Sequence, residues 1–327
     1  MPQSLDFTAV DDGKPGSVAW TERVRAQWPA ALAAVDESTM TPEGRAAAVA
    51  AFGEHLPELL PVLERLAEAL DTPEAAAVLA QATLKPFFAA CSQTSVAGAL
   101  VRNYDFDPGL CERVISRTEY LRPVIGMSEF CWGLLDGMNE AGLAVSLTFG
   151  GRLVHRPGMS ILMIVRCLLE TCDDVEQAWE RLQRIPVATA QNLTLVDREQ
   201  ALSVHIGPDI RPARAASLCV TNHQTDPIDE EQELDTHTLL RHATVSAAVE
   251  RAEGEDDDPA EYVVRSLLRP PVYNADFASG FGTIYTAAYR PAEGRVDYIW
   301  PGDVRWRQSF ARFEPGARVI EVGEGQP

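Results

Sequence analysis

The stretch Cys91-Ser-Gln-Thr-Ser-Val-Ala-Gly-Ala-Leu-Val-Arg102-Asn103-Tyr104-Asp105-Phe106 carries most of the information about this chain. A cysteine begins a run of β-forming residues, and a short hairpin would return Arg-Asn-x-Asp to lie beside it. A nearby guanidinium favours a thiolate, and a carboxylate at 105 would orient a donor such as an amine next to the sulfur. Taken alone, the pattern also fits a buried packing cysteine followed by a charged turn.

The segments before and after Cys91 differ in their predicted secondary structure. The first 90 residues are patterned as helices, at 17–35, after the cap signals Thr41-Pro42-Glu43 and Thr72-Pro73-Glu74, and along the leucine-rich face of 56–70. From Cys91 onwards short strands appear, then helices, and the alternation repeats. This order lacks the βαβ rhythm of a parallel sheet and predicts an α+β fold of two antiparallel sheets between helical layers. The predicted strands are 95–103, 113–120, 123–130, 132–138, 143–149, 192–197, 201–207, 217–222, 283–290 and 295–300, and the predicted helices are 159–172, 175–184, 239–252 and 260–268.

Composition excludes several classes of function. The chain has 28 basic and 48 acidic residues, a net charge of −20, so it would be repelled by nucleic acids and by anionic membranes. It has no secretory signal and no apolar stretch of ~18 residues, and we therefore expect a cytoplasmic location. Its six cysteines form no C-x-x-C pair, so neither a metal site nor a cofactor is predicted. Signatures of serine hydrolases, zinc peptidases, phosphate loops and dinucleotide-binding folds are also missing from the sequence.

The residues around Cys91 resemble a known group of enzymes. A cysteine followed by Arg-Asn-x-Asp-aromatic is similar to the opening motif of the choloylglycine hydrolase and acyl-CoA:6-aminopenicillanic acid acyltransferase-like families, which are N-terminal-nucleophile hydrolases of linear amides. Three downstream segments extend the resemblance over about 91–313, namely Asn139-Glu140-Ala141-Gly142-Leu143-Ala144, Val220-Thr221-Asn222-His223 and Thr283-Ile284-Tyr285-Thr286-Ala287.

The resemblance implies a four-layer αββα sandwich and a self-processing mechanism. The helical segment 1–90 would be a propeptide or small subunit, and 91–327 would be the catalytic domain. The Ala90–Cys91 peptide would be cut autocatalytically, and the freed α-amino group would act as general base to its own thiol, with an ordinary pKa of ~7.7–8. The thiolate would attack an amide carbonyl, form an acyl-enzyme, and pass the acyl group to water or to an amine.

The resemblance also implies roles for individual residues. Cys91 would be the nucleophile, Arg102 would support the thiolate or contact substrate, Asp105 would hold the α-amino group, and Asn222 would donate to the oxyanion. Arg241 matches a later arginine of the family, although an arginine on a helix surface is the alternative interpretation. Two positions depart from the family pattern. Thr148 stands where bile-salt members often carry an asparagine oxyanion donor, and Ala90 stands where the acyltransferase branch commonly has glycine.

The expected partner is a small-molecule amide or acyl donor. Phe106, Trp132 and Phe149 are apolar candidates near the site and indicate an acyl or aromatic substrate group. The patterned apolar face of the N-terminal segment indicates that it packs, so the fragment can remain bound as a subunit. The sequence leaves a homo-oligomer open.

Two other functions compete with this interpretation. An ordinary cysteine protease would need a histidine base, for which His223 is the candidate, although a structural hydrogen bond beside Asn222 is the other interpretation of that side chain. A binding or scaffold protein would keep the fold without the chemistry. Both alternatives predict an uncut chain at Cys91.

Overall fold

The computed structural model describes residues 3–87, 90–224, 228, 230–252, 254 and 258–323, apart from the side chains of Asp235 and Ser279. The described strands are β1 Gln3–Gly13, β2 Ala90–Val96, β3 Ala99–Phe106, β4 Val114–Glu119, β5 Pro123–Glu129, β6 Gly133–Asn139, β7 Ala144–Phe149, β8 Gln191–Val196, β9 Ala201–Gly207, β10 Ile210–Arg214, β11 Gly282–Arg290, β12 Arg295–Trp300, β13 Val304–Ser309 and β14 Gly316–Val322. The described α-helices are α1 Val18–Ala34, α2 Pro42–His55, α3 Leu60–Leu70, α4 Ala75–Ala80, α5 Ile161–Thr171, α6 Val175–Leu182, α7 Glu230–Thr236, α8 Thr238–Ala252 and α9 Pro259–Leu267.

The strands form two sheets that face each other. The larger sheet has nine strands in the order β10-β9-β8-β7-β6-β5-β4-β1-β14, and the smaller has five in the order β13-β12-β11-β3-β2. Helices α5 and α6 cover the larger sheet, α8 and α9 cover the smaller one, and β2 and β3 pack against β7 and β8 between them. The predicted αββα sandwich is therefore confirmed.

The N-terminal segment departs from the prediction at its start. Residues 3–13 form β1, which lies inside the larger sheet, antiparallel to β14 and parallel to β4. The strand buries Leu5, Phe7 and Ala9 while Asp6 is exposed, a period-2 alternation that was readable in the sequence. The segment is therefore not helical throughout, and one strand pair of an otherwise antiparallel sheet is parallel.

The hairpin that carries Cys91 has the predicted shape. Strands β2 and β3 pair antiparallel with Cys91 opposite Tyr104 and Ala90 opposite Asp105. The reversal lies at Ala97 and Gly98, whose φ angles are 48° and 72°, so the single strand predicted over 95–103 is in fact divided by a turn. Because side chains alternate across a strand, Cys91, Gln93, Arg102 and Tyr104 share one face, and Ala90, Ser92, Asn103 and Asp105 share the other.

The structure differs from the predicted secondary structure at several other places. Residues 217–222 form no strand, although Gln93 and Val220 form a two-residue bridge and exchange both backbone hydrogen bonds at 3.0 and 2.9 Å. Strands β10, β13 and β14 and helix α7 were not predicted. Helix α4 begins after Glu74 without a side-chain cap, so Thr72 does not cap it.

Among the described residues, no single helix is long and apolar enough to cross a membrane; Pro42–His55 and Pro57–Leu70 would pass that test only as a pair bent by 114°.

Candidate active site

The sulfur of Cys91 lies on the face of the hairpin that looks towards the larger sheet. Arg102, on the same face of β3, donates from Nη2 to Cys91 Sγ at 3.1 Å. Its Nη1 donates to Asp136 Oδ2 at 2.8 Å and to Leu135 O at 3.0 Å, both on β6. Tyr285 OH also donates to Asp136 Oδ2, at 2.5 Å. The guanidinium is thus fixed between the two sheets and aimed at the thiol.

The backbone of Cys91 is held from the opposite side. Its N–H donates to Asn222 Oδ1 at 3.0 Å, and its carbonyl accepts from Arg241 Nη1 at 2.7 Å. Arg241 also donates to Ser92 Oγ at 2.8 Å and to Asn222 Oδ1 at 2.6 Å. Arg241 is 3% exposed, so it is a buried member of the site and not the surface helix arginine of the alternative interpretation.

Asp105 of β3 lies directly opposite Ala90 of β2, the residue on the N-terminal side of the bond that would be cut. Its Oδ1 accepts from Thr283 Oγ1 at 2.7 Å, and its Oδ2 lies 3.9 Å from Arg241 Nη1. Burial raises the pKa of this carboxyl to about 6, against the opposing effects of Arg241 and of the Thr283 hydrogen bond. Asp105 therefore changes protonation close to neutral pH.

Burial dominates the ionisation of the thiol. It raises the pKa of Cys91 to about 11, even though Arg102 lowers it and a backbone hydrogen bond from Asp105 acts in the same direction as Arg102. Burial would lower the pKa of Arg102, but neighbouring Tyr285, Cys91 and Asp136 more than offset it and raise the pKa. The site thus holds a neutral thiol beside a permanent cation.

The remaining predicted residues separate into those near the site and one that belongs elsewhere. Phe149 presents its carbonyl to Asn222 Nδ2 at 3.0 Å, so its backbone helps to place that amide. Thr148 donates its hydroxyl to Thr221 O at 3.0 Å and so helps to position the 221–222 segment, while its oxyanion role stays a prediction.

Trp132 packs against Phe52 of α2 and donates to Leu79 O at 2.8 Å. Its ring therefore contacts the N-terminal helices, and its role in substrate binding stays a prediction.

His223 contacts hydroxyl groups of its own neighbourhood. Its Nδ1 lies 3.0 Å from Thr238 Oγ1 and 3.2 Å from Thr221 Oγ1. Thr238 Oγ1 also accepts from the backbone N–H of Asn222 at 2.8 Å. These contacts fit the structural interpretation of His223, which supports the segment that carries Asn222.

Sequence reasoning missed the groups that hold Arg102. Asp136 is fully buried in β6 and also accepts from the hydroxyl of Tyr289. A signal was available, since Asp136 is the sole charged residue of Gly-Leu-Leu-Asp-Gly-Met-Asn, and a charge within an apolar strand needs a buried partner. Tyr285 and Tyr289 lie four residues apart in β11 and therefore face the same side.

A cavity of ≈ 430 Å³ lies next to this site. Tyr104 and Phe106 of β3 form part of its wall, and contact of Phe106 with a substrate stays a prediction. Residues 84–87, just before the Cys91 strand, form another part, and Ala30, Ala31 and Ala34 of α1 a third. Its size and mainly apolar lining are typical of a small-molecule site.

Comparisons with known proteins agree with this architecture. Residues 91–305 match the profile of the family described as acyl-coenzyme A:6-aminopenicillanic acid acyl-transferase. Among solved structures, a mutant of conjugated bile acid hydrolase from Clostridium perfringens superposes with a TM-score of 0.51 at 10% identity, over 71% of this chain and 96% of that one. Penicillin V acylase from Agrobacterium tumefaciens gives 0.47 at 14% identity, over 68% and 86%. A Caenorhabditis elegans N-acylethanolamine-hydrolyzing acid amidase ortholog gives 0.45 at 13% identity, over 62% and 92%.

No curated protein matches the chain in sequence. The family profile nevertheless spans about two thirds of it, and begins at the cysteine whose sulfur, nitrogen and oxygen are all held by buried partners. The chain belongs to the acyl-coenzyme A:6-aminopenicillanic acid acyltransferase family of N-terminal-nucleophile enzymes, which are hydrolases and acyltransferases of amides.

Proposed function

We propose that this protein cuts its own Ala90–Cys91 bond and then hydrolyses or transfers the acyl group of a small linear amide through a Cys91 acyl-enzyme. The observation that carries the proposal is the convergence of three side chains on one residue. Arg102 contacts the sulfur of Cys91, Asn222 accepts from its nitrogen, and Arg241 donates to its oxygen. A cysteine that served only to pack the core would need partners for its backbone groups but no guanidinium at its sulfur.

Self-cleavage would begin with attack of Cys91 Sγ on the carbonyl carbon of Ala90. The C–N bond then breaks, a thioester forms between Ala90 and Cys91, and the thiol proton ends on the released amine. Water hydrolyses the thioester, giving a carboxylate on Ala90 and restoring the thiol. Asp105 lies opposite Ala90 and has its pKa raised to about 6, so above that pH it can accept the proton that the thiol loses.

The mature site would use the new amino group as its base. That nitrogen occupies the place where Cys91 N now donates to Asn222 Oδ1, with Asp105 on the adjacent strand. It takes the thiol proton, the thiolate attacks the substrate carbonyl, and the leaving amine departs with the proton. Arg102 stabilises the thiolate, since its charge is fixed by Asp136 before the reaction begins.

The oxyanion role of Asn222 stays a prediction. In the uncut chain its Oδ1 accepts from Cys91 and Arg241, while its Nδ2 donates to Phe149 O. The amide is thus already within reach of the reacting residue, and a donor at this position typically contributes ~10²–10³ in rate.

We also propose that fragment 1–90 remains bound as a subunit to 91–327. Strand β1 lies between β4 and β14 in the larger sheet, and α1 supplies part of the cavity wall. Residues 84–87 form another part of the wall. Cleavage after Ala90 would therefore release the chain end that borders the cavity near Cys91. The mainly apolar lining favours an acyl group with an aliphatic or aromatic chain.

Intact mass under denaturing conditions tests the proposal. Wild-type protein is expected to give fragments 1–90 and 91–327, and Cys91→Ala a single uncut chain. Cys172→Ala is the matched control, because Cys172 is a buried thiol whose pKa burial also raises to about 11, yet it lies at the end of α5. A wild-type chain that stays whole after long incubation would contradict the proposal and favour a binding protein with this fold.

Acylation is tested separately on the cut protein. Incubation with an activated acyl anilide is expected to add the acyl mass to fragment 91–327, and amine or water should remove it. If the chain is cut but never acylated by any amide of a broad panel, the enzyme activity proposed here is wrong even though the processing is right.

A further inference from the structure

The cavity beside the active site is mainly apolar, with Gln27 and Lys85 on its wall and a group of polar side chains at one end. That end carries Glu112, Glu129 and the hydroxyl of Tyr104, whereas alanine, leucine and phenylalanine side chains form most of the remaining wall. Buried polar groups in proteins are generally hydrogen-bonded, so a polar end within an apolar cavity requires a partner.

Two atoms of this end have no such partner. Tyr104 is 0% exposed, and neither its hydroxyl nor Glu112 Oε2 has a hydrogen-bond partner among the described residues. Leaving buried polar atoms unpaired costs free energy, and a bound ligand that pairs them recovers it. The cavity is thus incomplete in a way that points to a ligand with hydrogen-bonding atoms.

The charges at this end identify the ligand's character. Glu112 and Glu129 supply two carboxyl groups there, and Arg23 lies 3.8 Å from Glu112 Oε2 but forms its closer ion pair, at 2.5 Å, with Asp12. Glu129 Oε2 accepts the backbone N–H of Glu112 at 3.2 Å, so the two glutamates lie together. Burial, reinforced by the neighbouring Glu112, raises the pKa of Glu129 well above its usual range.

Two cations near this end donate to backbone carbonyls. Lys85, on the cavity wall, donates from Nζ to Ala33 O at 2.8 Å. Arg113, which follows Glu112 in the chain, donates from Nη1 to the carbonyls of Pro108 and Cys111. Glu129 forms no ion pair with a described cation, and a ligand that donates hydrogen bonds would favour the ionised forms of both carboxyl groups.

The polar end is connected to the reacting residue through Tyr104. Tyr104 is the cross-strand partner of Cys91, and the Arg102 guanidinium stacks over its ring at 5.1 Å. A substrate whose carbonyl lies at Cys91 would therefore extend its acyl chain past Tyr104 towards the two glutamates.

We propose that the cavity receives the acyl group of the substrate and that Tyr104, Glu112 and Glu129 select acyl groups ending in a primary amine. The ammonium would donate to both carboxylates and to the Tyr104 oxygen, and Glu129 would release its proton on binding. This inference rests on the proposed function for the placement of the acyl chain, but the binding of an alkylamine in the cavity does not depend on catalysis.

Kinetics on three matched series test the selection. Anilides of ω-aminoacyl, ω-hydroxyacyl and n-alkanoyl groups of equal length are compared by kcat/KM over a range of lengths. The ω-aminoacyl series is expected to exceed its n-alkanoyl counterpart by roughly 10- to 100-fold, as a charge-assisted hydrogen bond contributes. Equal rates, or a preference for the hydroxyacyl or alkanoyl series, would overturn the proposal.

Variants test which residues cause the preference for ω-aminoacyl groups. Glu112→Gln, Glu129→Gln and Tyr104→Phe should each reduce the ratio of ω-aminoacyl to n-alkanoyl rates. Glu176→Gln is the matched control, an exposed glutamate on α6 paired with Arg214. A preference that survives all three cavity variants would place the amine elsewhere and contradict the assignment.

Calorimetry on the wild-type protein separates this inference from the proposed function. An n-alkylamine is expected to bind more tightly than the alcohol of equal length by roughly 10-fold, with proton release to the buffer. Amine binding without turnover of any amide would refute the proposed function and leave the ligand assignment standing. Turnover of amides, with the amine and the alcohol binding equally well, would refute the ligand assignment and leave the proposed function standing.

Discussion

At the scale of single residues, two opposing effects act on the pKa of the Cys91 thiol. Burial keeps Cys91 protonated, with its pKa raised to about 11, whereas Arg102 at 3.1 Å favours the thiolate. Burial prevails in the uncut chain, so the positive charge alone does not create the nucleophile. Activation therefore needs a proton acceptor, and the candidate is Asp105, which lies opposite Ala90 and whose pKa burial raises to about 6.

Self-cleavage is accordingly expected to depend on pH through Asp105. Because burial raises the pKa of this carboxyl to about 6, the ionised form predominates above that pH and is lost below it. If the carboxylate accepts the thiol proton, the rate should fall about 10-fold for each pH unit below ~6. Refolding the denatured precursor into buffers from about pH 5 to 8, with intact mass measured over time, gives this profile.

Asp105→Asn provides the comparison for that profile. It keeps the size of the side chain and removes the titration, so the remaining slow cleavage should lose its step near pH 6. A wild-type rate that is unchanged across the same range would exclude Asp105 as the proton acceptor.

At the scale of elements, the sequence predicted those strands and helices that have a clear local pattern of apolar and turn residues. The Cys91 hairpin, the strands after it and buried helix α5 follow from alternation, turn residues and apolar content. The position of Asn222 does not, because its segment is held by a bridge to Gln93 and by side-chain contacts with β2, β7 and α8, which no local pattern reveals. Arg241 was ambiguous for the same reason, since the helical pattern of α8 does not reveal that it faces Cys91.

The 221–222 segment also depends on close packing against Gly151. Gly151 has φ +83°, and a Cβ added there would clash with Asn222 O and with Gln232 Nε2. Gly151→Ala must therefore displace Asn222 as well as strain the backbone, a strain that costs ~1–2 kcal/mol. We expect self-cleavage to slow at least ~10-fold, since a displaced hydrogen-bond partner at a reacting group costs ~1.4 kcal/mol or more.

Gly302→Ala separates the two effects. Gly302 has φ +80° in the β12–β13 turn, where nothing lies within 4 Å of an added Cβ. Gly302→Ala should lose thermal stability through backbone strain alone, and by less than Gly151→Ala, while cleavage continues at the wild-type rate. Similar slowing in both variants would show that general destabilisation, and not the position of Asn222, limits the reaction.

At the scale of the whole molecule, the proposed cut falls between two parts that share one sheet and one cavity. Fragment 1–90 would contribute β1 to the larger sheet, its helices to the contact with Trp132, and α1 to the cavity wall. Phe7 of β1 is fully buried, with its ring 4.8 Å from that of Trp300 in the smaller sheet. The N-terminal part therefore reaches through the larger sheet into the core between the two sheets.

Both fragments of the cut protein are therefore expected to elute together from a sizing column in native buffer and to separate only in denaturant. Loss of β1 would leave β4 and β14 without their shared partner and would expose the surface beneath Phe7. Phe7→Ala should weaken the association, because removing a buried phenylalanine ring costs ~3–5 kcal/mol. Asp6→Ala, on the exposed face of the same strand, should leave it unchanged. Fragment 91–327 that elutes alone, folded and active, would show that residues 1–90 assist folding and are then dispensable.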